Sequence, residues 1–324
     1  MAMARHFECT FALVIPTYNR AHLICETLES ALSQSKSFSE IIVVDDGSTD
    51  NTSAVLRQYE GRITIIQTEN NGVQAARNLG IRSARSDYVT LCDSDDLLEP
   101  DFLQLFSQWL SANPSCDVLY CNFNSFDKNK TFGDRLAYAP PGLYSDFEGG
   151  EEILAAIPDL ILRIVQFQIL FVSGMTLRCS KFDVIGEYNV MFNGIGAEDF
   201  EFTMRAVSRA NIAFCKRPLV RVRRHEGNAS VDQVRQVSGE IQILEYALEH
   251  NDAVSKYRSN ICTAIDERRL QVFDAGFARG DFELASTMLK TFRKLPSNWR
   301  FQIKKRILNL PSLFRGTFWR LTQI

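Results

Sequence analysis

The stretch IIVVDDGSTD (residues 41–50) combines a buried strand with a turn and the start of a helix. Its four β-branched residues favour a strand that is covered on both faces. The Asp, Gly, Ser and Thr that follow predict a turn and a helix N-cap. Similar apolar runs occur on either side of it, at FALVIP (11–16), ITIIQT (63–68), YVTLCD (88–93) and DVLYCNF (117–123). Amphipathic segments separate the runs, so the sequence predicts an α/β fold with a mostly parallel sheet flanked by helices.

Polar residues follow four of these strands, in PTYNR, DDGSTD, ENNG and DSDD. Ligands of open α/β sheets bind in the crevice beyond the carboxyl ends of the strands. Asp93, Asp95 and Asp96 crowd one such end, where like charges repel unless a cation lies between them. Oxygen ligands favour Mg²⁺ or Mn²⁺, with phosphate oxygens and water completing the shell. The alternative is that these acids only favour the first turn of the next helix through its dipole.

The second half of the chain is less regular. FVSGMTLR (171–178) and LVRVRRH (219–225) have the pattern of strands, and AEDFEFTMRAVSRA (197–210) has that of a helix. Beyond Ser230 the pattern is only helical, with a helical hairpin that turns at Gly280 and has Asp281 as N-cap. We therefore predict a catalytic domain over residues 1–230 and a C-terminal helical region over residues 231–324.

Composition bounds the class of protein and its compartment. With 45% hydrophobic and 23% charged residues in 324, the chain is typical of a folded globular protein. The eight cysteines form no C-x-x-C pair and indicate reduced core thiols, so we expect a cytoplasmic protein. The most apolar segment is interrupted by Arg163, Gln166 and Gln168, and we expect neither an export signal nor a transmembrane helix.

The charge distribution is uneven along the chain. All 39 acidic residues lie at or before Glu283, and nine cations but no acid follow it. In WRFQIKKRILNL (299–310) one helical face would carry Trp299, Ile303, Ile307 and Leu310. Such a basic amphipathic helix can lie on an anionic membrane, here the inner face, or can pack on the protein or in a homo-oligomer interface. The acidic body argues against nucleic acid as a partner.

Five motifs, LVIPTYNR, IIVVDDGSTD, NNGVQAARNLG, YVTLCDSDD and GAEDFEF, resemble in order and spacing the family 2 glycosyltransferases of the GT-A fold. The resemblance covers about residues 11–230. It implies an inverting hexosyl- or N-acetylhexosaminyltransferase with a divalent metal, Mn²⁺ or Mg²⁺, and a nucleotide-sugar co-substrate, for which we expect a UDP-sugar. The acceptor would be a glycan or lipid-linked glycan, in surface polysaccharide biosynthesis.

The resemblance also assigns residues to the site. It places at the nucleotide-sugar the residues Pro16, Thr17, Tyr18, Asp46, Arg77, Asn78, Asp93, Ser94, Arg223 and Ser230. It places at the metal Asp93, Asp95, Asp96 and His225. The roles of the three aspartates relative to one another stay open, and His225 can equally be structural.

GAEDFEF resembles the family motif whose aspartate takes the proton from the acceptor hydroxyl, which implies Asp199 as base with Glu198 beside it. The alternative is that both are acids of a helix N-terminus. Competing classes are an inactive sugar-nucleotide-binding protein, a sugar nucleotidyltransferase and a phosphatase. PTYNR lacks the glycine-rich first turn of the nucleotidyltransferases. A phosphatase of the haloacid dehalogenase type would have its D-x-D motif after the first strand, whereas here D-x-D follows the fourth.

Overall fold

A computed structural model describes residues 9–225, 227 and 232–321. The chain divides into two compact units. Unit 1 comprises Met1–Gly194 and Glu201–Asn228, and unit 2 comprises Ile195–Phe200 and Ala229–Ile324. The six residues Ile195–Phe200 thus group with the C-terminal helices. The predicted boundary at Ser230 lies outside the described residues and stays a prediction.

The described secondary structure contains both strands and helices up to residue 223 and is helical from residue 233 onward. The strands are β1 Phe11–Thr17, β2 Glu40–Asp46, β3 Thr64–Thr68, β4 Tyr88–Leu91, β5 Leu97–Leu98, β6 Val118–Phe126, β7 Thr131–Asp134, β8 Ile153–Ala155, β9 Thr176–Arg178 and β10 Ile212–Arg223. The helices are α1 Ile24–Leu32, α2 Thr52–Leu56, α3 Val73–Ser83, α4 Phe102–Ala112, α5 Leu160–Gln166, α6 Phe182–Ile185, α7 Asp199–Arg209, α8 Gln233–His250, α9 Arg258–Arg279, α10 Phe282–Thr291, α11 Trp299–Leu308 and α12 Ser312–Leu321.

The first four strands form a parallel sheet, as the sequence predicts, and their order is β3-β2-β1-β4. Every residue of the central strand β1 is buried, which explains its unbroken apolar run. Because the strands are parallel, β1, β2 and β4 end at the same edge of the sheet. This edge receives the polar residues that follow each strand.

The rest of the sheet is mixed rather than parallel. Strand β9 lies between β4 and β6 and is antiparallel to both, whereas β10 is parallel to β6 and antiparallel to β5 and β8. Strand β9 covers only the last three residues of the predicted strand at 171–178. The reason is Gly174, whose φ of 86° belongs to a turn and whose N–H donates to the carbonyl of Leu91.

The glycine that ends NNGVQAARNLG has a packing role. A Cβ on Gly80 would lie 2.3 Å from Cγ1 of Val14 in β1. Glycine therefore lets α3 lie directly on the sheet. This contact fixes the distance from the sheet at which Arg77 and Asn78 lie, since both precede Gly80 on the same helix.

Unit 2 has its own apolar core on α9, α10 and α11, around Phe273, Phe277 and Phe301. The predicted hairpin is confirmed, since Gly280 ends α9 with φ 74° and the Asp281 side chain accepts from the N–H of Leu284. Ile307 is buried in this core, while Trp299 and Ile303 are exposed. The predicted stripe is thus divided between the core and the surface. No helix among the described residues is long and apolar enough to span a bilayer.

Candidate functional site

Residues 93–96, here called the acidic turn, follow β4 at the carboxyl edge of the sheet in unit 1. The N–H of Asp93 donates to Oγ of Ser173 at 3.0 Å, which fixes where the turn starts. Arg77 reaches over from α3, and its Nη2 donates to Oδ1 of Asp93 at 2.8 Å. The structure thus brings together Asp93 and Arg77, two predicted residues that lie 16 positions apart.

Asp95 is the most heavily paired acid of this turn. Nε2 of His225 lies 3.0 Å from its Oδ2, and Nε of Arg20 lies 3.5 Å from the same oxygen. Nε of Arg223 donates to the main-chain carbonyl of Asp95 at 3.0 Å. Two strand ends, after β1 and after β10, therefore supply basic groups to one carboxylate. Such a cluster balances charge and can also receive an anionic ligand.

Asp96 has a different environment from the other two acids. It is buried, and its oxygens accept from Oγ of Ser173 at 2.6 Å and from the N–H of Arg223 at 3.0 Å. Burial, aided by the charges of Asp95 and Asp93, raises the pKa of the Asp96 carboxyl well above its usual range. Asp96 thus joins the acidic turn to β10, and its predicted role at the metal stays a prediction.

A divalent cation binds most readily to carboxylate oxygens that accept no hydrogen bond. In the part of the chain that the structure describes, neither Oδ2 of Asp93 nor Oδ1 of Asp95 has a hydrogen-bond partner, and the two side chains are 27% and 13% exposed. Among the described residues no group of three His, Cys, Asp or Glu is arranged to hold a metal. Two carboxylates suit a hard ion whose remaining ligands are phosphate oxygens and water, so the residues present fit Mg²⁺ or Mn²⁺ bound together with a diphosphate.

The end of β1 presents three predicted nucleotide residues in sequence. Pro16 and Thr17 are buried, and Tyr18 is 42% exposed, so its ring is available for stacking. Oγ1 of Thr17 is buried and meets no hydrogen-bond partner among the described residues. A buried polar atom without a partner costs free energy, and a ligand at this edge of the sheet could satisfy it.

The end of β2 is occupied mainly with holding loops. Asp45 accepts from the N–H of Ser48 at 3.0 Å and from Oγ of Ser53 at 2.6 Å, so both of its oxygens hold the segment after β2. Asp46 accepts from the N–H groups of Asn71 and Gly72, both at 2.9 Å. Each oxygen of Asp46 thus already fixes the turn that leads into α3. Its predicted contact with base or ribose stays a prediction and would use the remaining lone pairs.

The side chain of Asn78 forms hydrogen bonds with the main chain of Tyr188. Its Nδ2 donates to the carbonyl of Tyr188 and its Oδ1 accepts from the N–H of Tyr188, both at 2.8 Å. Arg77 lies with its guanidinium carbon 5.5 Å from the centre of the Tyr188 ring. Asn78 therefore holds the segment around Tyr188 in place, and its predicted role at the nucleotide is untested.

The remaining residues predicted at the nucleotide-sugar are Arg223, Ser94 and Ser230. Nη2 of Arg223 donates to Oε2 of Glu26 at 2.8 Å, in addition to the bonds that Arg223 makes to the acidic turn. Arg223 thus links α1 to the acidic turn, and it is also a candidate diphosphate partner. Ser94 is buried within the turn. Ser230 lies outside the described residues. None of these placements tests a role in binding.

Glu198 and Asp199 belong to unit 2, in the short segment Ile195–Phe200. Both are half-buried, and Asp199 is the first residue of α7. The residues before them turn sharply, with φ of 89° at Gly196 and 54° at Ala197. A non-glycine residue at positive φ is uncommon and often marks a functional constraint.

Sequence reasoning missed several residues that shape the site. Arg20 stands in the quoted motif PTYNR but was assigned no role, although its guanidinium lies beside Asp95. Ser173 bonds both Asp93 and Asp96, and its only sequence signal is the following Gly174. Asn193 donates from Nδ2 to the carbonyl of Asn71 at 2.9 Å and accepts from the N–H of Gln74 at 3.1 Å. It thereby braces the turn before α3.

A comparison with family models identifies the chain. The model described as Glycosyl transferase family 2 matches residues 12–168, the part that supplies β1 to β6 and the acidic turn. The matched segment, just under half of the chain, carries the sequence pattern of glycosyltransferase family 2. The family predicted from the five motifs is thereby confirmed.

The chain also resembles curated proteins and solved structures. It is 28% identical over 266 residues to the putative glycosyltransferase EpsH of Bacillus subtilis, covering 78% of the chain and 73% of EpsH. It is 34% identical over 139 residues to the putative teichuronic acid biosynthesis glycosyltransferase TuaG of the same organism, covering 42% of the chain and 55% of TuaG. The crystal structure of Staphylococcus aureus TarS 1–349 in complex with UDP-GlcNAc superposes with a TM-score of 0.63 at 18% identity, covering 95% of the chain and 88% of TarS. This likeness confirms the predicted fold class.

Proposed function

We propose that the chain transfers a sugar from a UDP-sugar to a hydroxyl of a glycan or lipid-linked glycan, with inversion. The observation that carries the proposal is the acidic turn, where Asp93 and Asp95 each keep an oxygen available while Arg77, Arg20 and His225 surround them. Two acids alone would repel a diphosphate. Two acids with a divalent ion and three basic side chains attract one.

In this proposal the chain's own residues bind and orient the donor. Tyr18 stacks on the base, and Thr17 donates its buried hydroxyl to the nucleotide. Arg77, Arg20 and His225 contact the diphosphate, at the cost of loosening their present bonds to Asp93 and Asp95. The metal, held by Asp93 and Asp95, would offset the negative charge that develops on the departing diphosphate.

Asp199 is the proposed base. It would take the proton from the acceptor hydroxyl as that oxygen attacks the anomeric carbon, while the bond to the diphosphate breaks on the opposite side. One such displacement inverts the configuration and needs no covalent intermediate. Glu198 would help to orient the acceptor. A catalytically inactive sugar-nucleotide-binding protein is disfavoured because Asp93, Asp95 and Asp199 are all present.

The nucleotide choice rests on names of similar proteins. TarS was crystallised with UDP-GlcNAc, and TuaG and EpsH carry glycosyltransferase names. From these we infer a UDP-hexose or UDP-N-acetylhexosamine donor and a role in surface polysaccharide assembly. We expect UDP-sugars with Mn²⁺ to raise the melting temperature of the chain, and GDP- and dTDP-sugars to raise it less. Equal shifts for all three, or none, would contradict a uridine-specific site.

We also propose that α11 and α12 rest on an anionic membrane surface. Trp299, Ile303, Phe314 and Phe318 are exposed apolar side chains of unit 2, and the sequence after Glu283 carries only cations. Each cation near an anionic leaflet contributes about 1 kcal/mol. Exposed aromatic residues among cations are typical of interfacial helices.

The double variant Trp299→Glu/Ile303→Glu should reduce binding to phosphatidylglycerol vesicles several-fold in co-sedimentation. The two introduced carboxylates are costly to bury in the lipid interface, and the anionic lipids repel them. Val184→Glu, at a 53% exposed position of unit 1, is the matched control and should bind like the wild type. Unchanged sedimentation of the double variant would refute the membrane proposal. If the double variant instead changes the mass of a wild-type oligomer in light scattering, the patch is an interface between copies.

A further inference from the structure

The turn that precedes Asp199 packs against one face of α8 inside unit 2. A Cβ on Gly239 of α8 would lie 2.0 Å from the carbonyl oxygen of Gly196 and 2.9 Å from that of Ile195. Conversely, a Cβ on Gly196 would lie 2.9 Å from the carbonyl oxygen of Arg235. Real Cβ atoms do not approach backbone so closely, so only glycine at both positions permits this contact.

A side chain of α8 also bonds the turn. Oε1 of Gln236 accepts from the N–H of Ala197 at 3.2 Å. Ala197 has a φ of 54°, a left-handed conformation that residues with a Cβ seldom adopt. Such a conformation persists where the surroundings impose it, and Ala197 is the residue whose N–H donates to Gln236.

The helix that carries these residues is itself firmly held. The side chain of Asp232 caps α8 by accepting from the N–H groups of Val234 and Arg235. Glu240 pairs with Arg268 of α9 at 2.6 Å, and Glu245 pairs with Arg269 of α9 at 2.5 Å. The same helix buries Ile241, Ile243 and Leu244. Because α8 is fixed to α9, it can serve as a rigid support for the turn.

We propose that α8 sets the conformation of residues 195–198, with Gln236 and Gly239 as positioning residues for the base Asp199. The inference rests on the proposed role of Asp199. Asp199 follows the left-handed Ala197 by two residues, so a change of φ at Ala197 swings the carboxylate away from where it acts. Displacements of about 1 Å can lower turnover about a hundredfold. Helix α8 then helps to set the geometry of the proposed base within unit 2.

The test compares two substitutions of Gln236 in the full chain. Gln236→Met removes the acceptor at nearly the same volume, whereas Gln236→Glu retains an acceptor oxygen. Gln242→Met, at an exposed position of α8, is the matched control. For each protein, hydrogen exchange of the peptide that contains Ala197, UDP affinity and the rate of UDP release from UDP-GlcNAc are measured.

In Gln236→Met we expect the amide of Ala197 to exchange at least about tenfold faster than in the wild type, because that amide loses its hydrogen bond to residue 236. Turnover should fall about tenfold or more with UDP affinity unchanged, and Gln236→Glu should restore both values toward wild type. Gly239→Ala should act like Gln236→Met. Gly276→Ala in α9, where a Cβ would meet a side chain at 3.2 Å, should lower stability without changing exchange at Ala197.

Wild-type exchange at Ala197 in both Gln236→Met and Gly239→Ala would overturn the inference, as would faster exchange with unchanged turnover. The exchange measurement needs no turnover, so it decides the contact to α8 even if UDP-GlcNAc is a poor donor. Failure of the proposed function has a different result. In that case Asp199→Asn retains turnover, while the exchange changes in the α8 variants still occur.

Discussion

Replacement of Asp199 by asparagine is expected to abolish sugar transfer while leaving UDP affinity nearly unchanged. The amide has the shape of the carboxylate but cannot accept a proton from the acceptor. A positioned base contributes about 10²- to 10⁴-fold to a rate, so turnover should fall by that factor. Because Asp199 is proposed to contact only the acceptor, the donor should bind as before.

The measurement is initial-rate kinetics with UDP release as readout, accompanied by a UDP titration. Glu198→Gln should lower the rate less, since Glu198 is proposed to orient and not to accept the proton. Asp183→Asn removes an exposed acid that pairs with Arg82 in unit 1 and serves as the control with wild-type rates. Turnover of Asp199→Asn within a few-fold of wild type would assign the base to another residue.

The second large effect is expected at Asp95. Asp95→Asn removes one of the two proposed metal ligands and leaves the positive charges of Arg20 and, when protonated, His225 without their partner. Turnover should fall by about 10³-fold or more, which corresponds to about 4 kcal/mol of transition-state stabilisation. EDTA should reduce the wild type to a similar level.

Addition of Mn²⁺ or Mg²⁺ in excess should restore the EDTA-treated wild type but not Asp95→Asn. Glu29→Gln, which neutralises an exposed acid on α1, is the control and should respond to EDTA and metal like the wild type. Full activity of the wild type in EDTA would show that the acidic turn works with its basic neighbours alone.

The parallel half of the sheet could be predicted because its signals are local. Apolar runs that are buried on both faces, each followed by polar turn residues, located β1 and β2 to within one residue. Parallel strands end together, so topology alone predicts that the turn with Asp93 and Asp95 lies at the same edge as the ends of β1 and β2. The hairpin at Gly280 was equally readable, since a glycine and an N-cap aspartate act within a few residues of themselves.

The division of roles among the acids could not be predicted, because it depends on partners far along the chain. Asp96 accepts hydrogen bonds from Ser173, 77 residues away, and from the main chain of Arg223, 127 residues away. Asn78 is engaged by Tyr188 at a separation of 110 residues. The residues that neighbour Asp96 and Asn78 in the sequence do not predict these bonds.

Helical periodicity was also insufficient at α11. A period of 3.6 residues groups Trp299, Ile303 and Ile307 on one stripe, but only tertiary packing decides which of them meets the core. The rings of Phe273 and Phe301, whose centroids are 4.9 Å apart, belong to the core that buries Ile307 and leaves the other two outside. A pattern defines a face, and the neighbours determine how much of it is covered.

Calorimetric titration of UDP, with Mn²⁺ and with EDTA, tests most directly the claim that the acidic turn is a metal-assisted nucleotide site. For the wild type we predict one UDP per chain and an affinity at least about tenfold higher with Mn²⁺, or about 1.4 kcal/mol. Asp95→Asn should show no gain from Mn²⁺. Equal affinity in Mn²⁺ and EDTA, or a Mn²⁺ gain that survives in Asp95→Asn, would contradict the account.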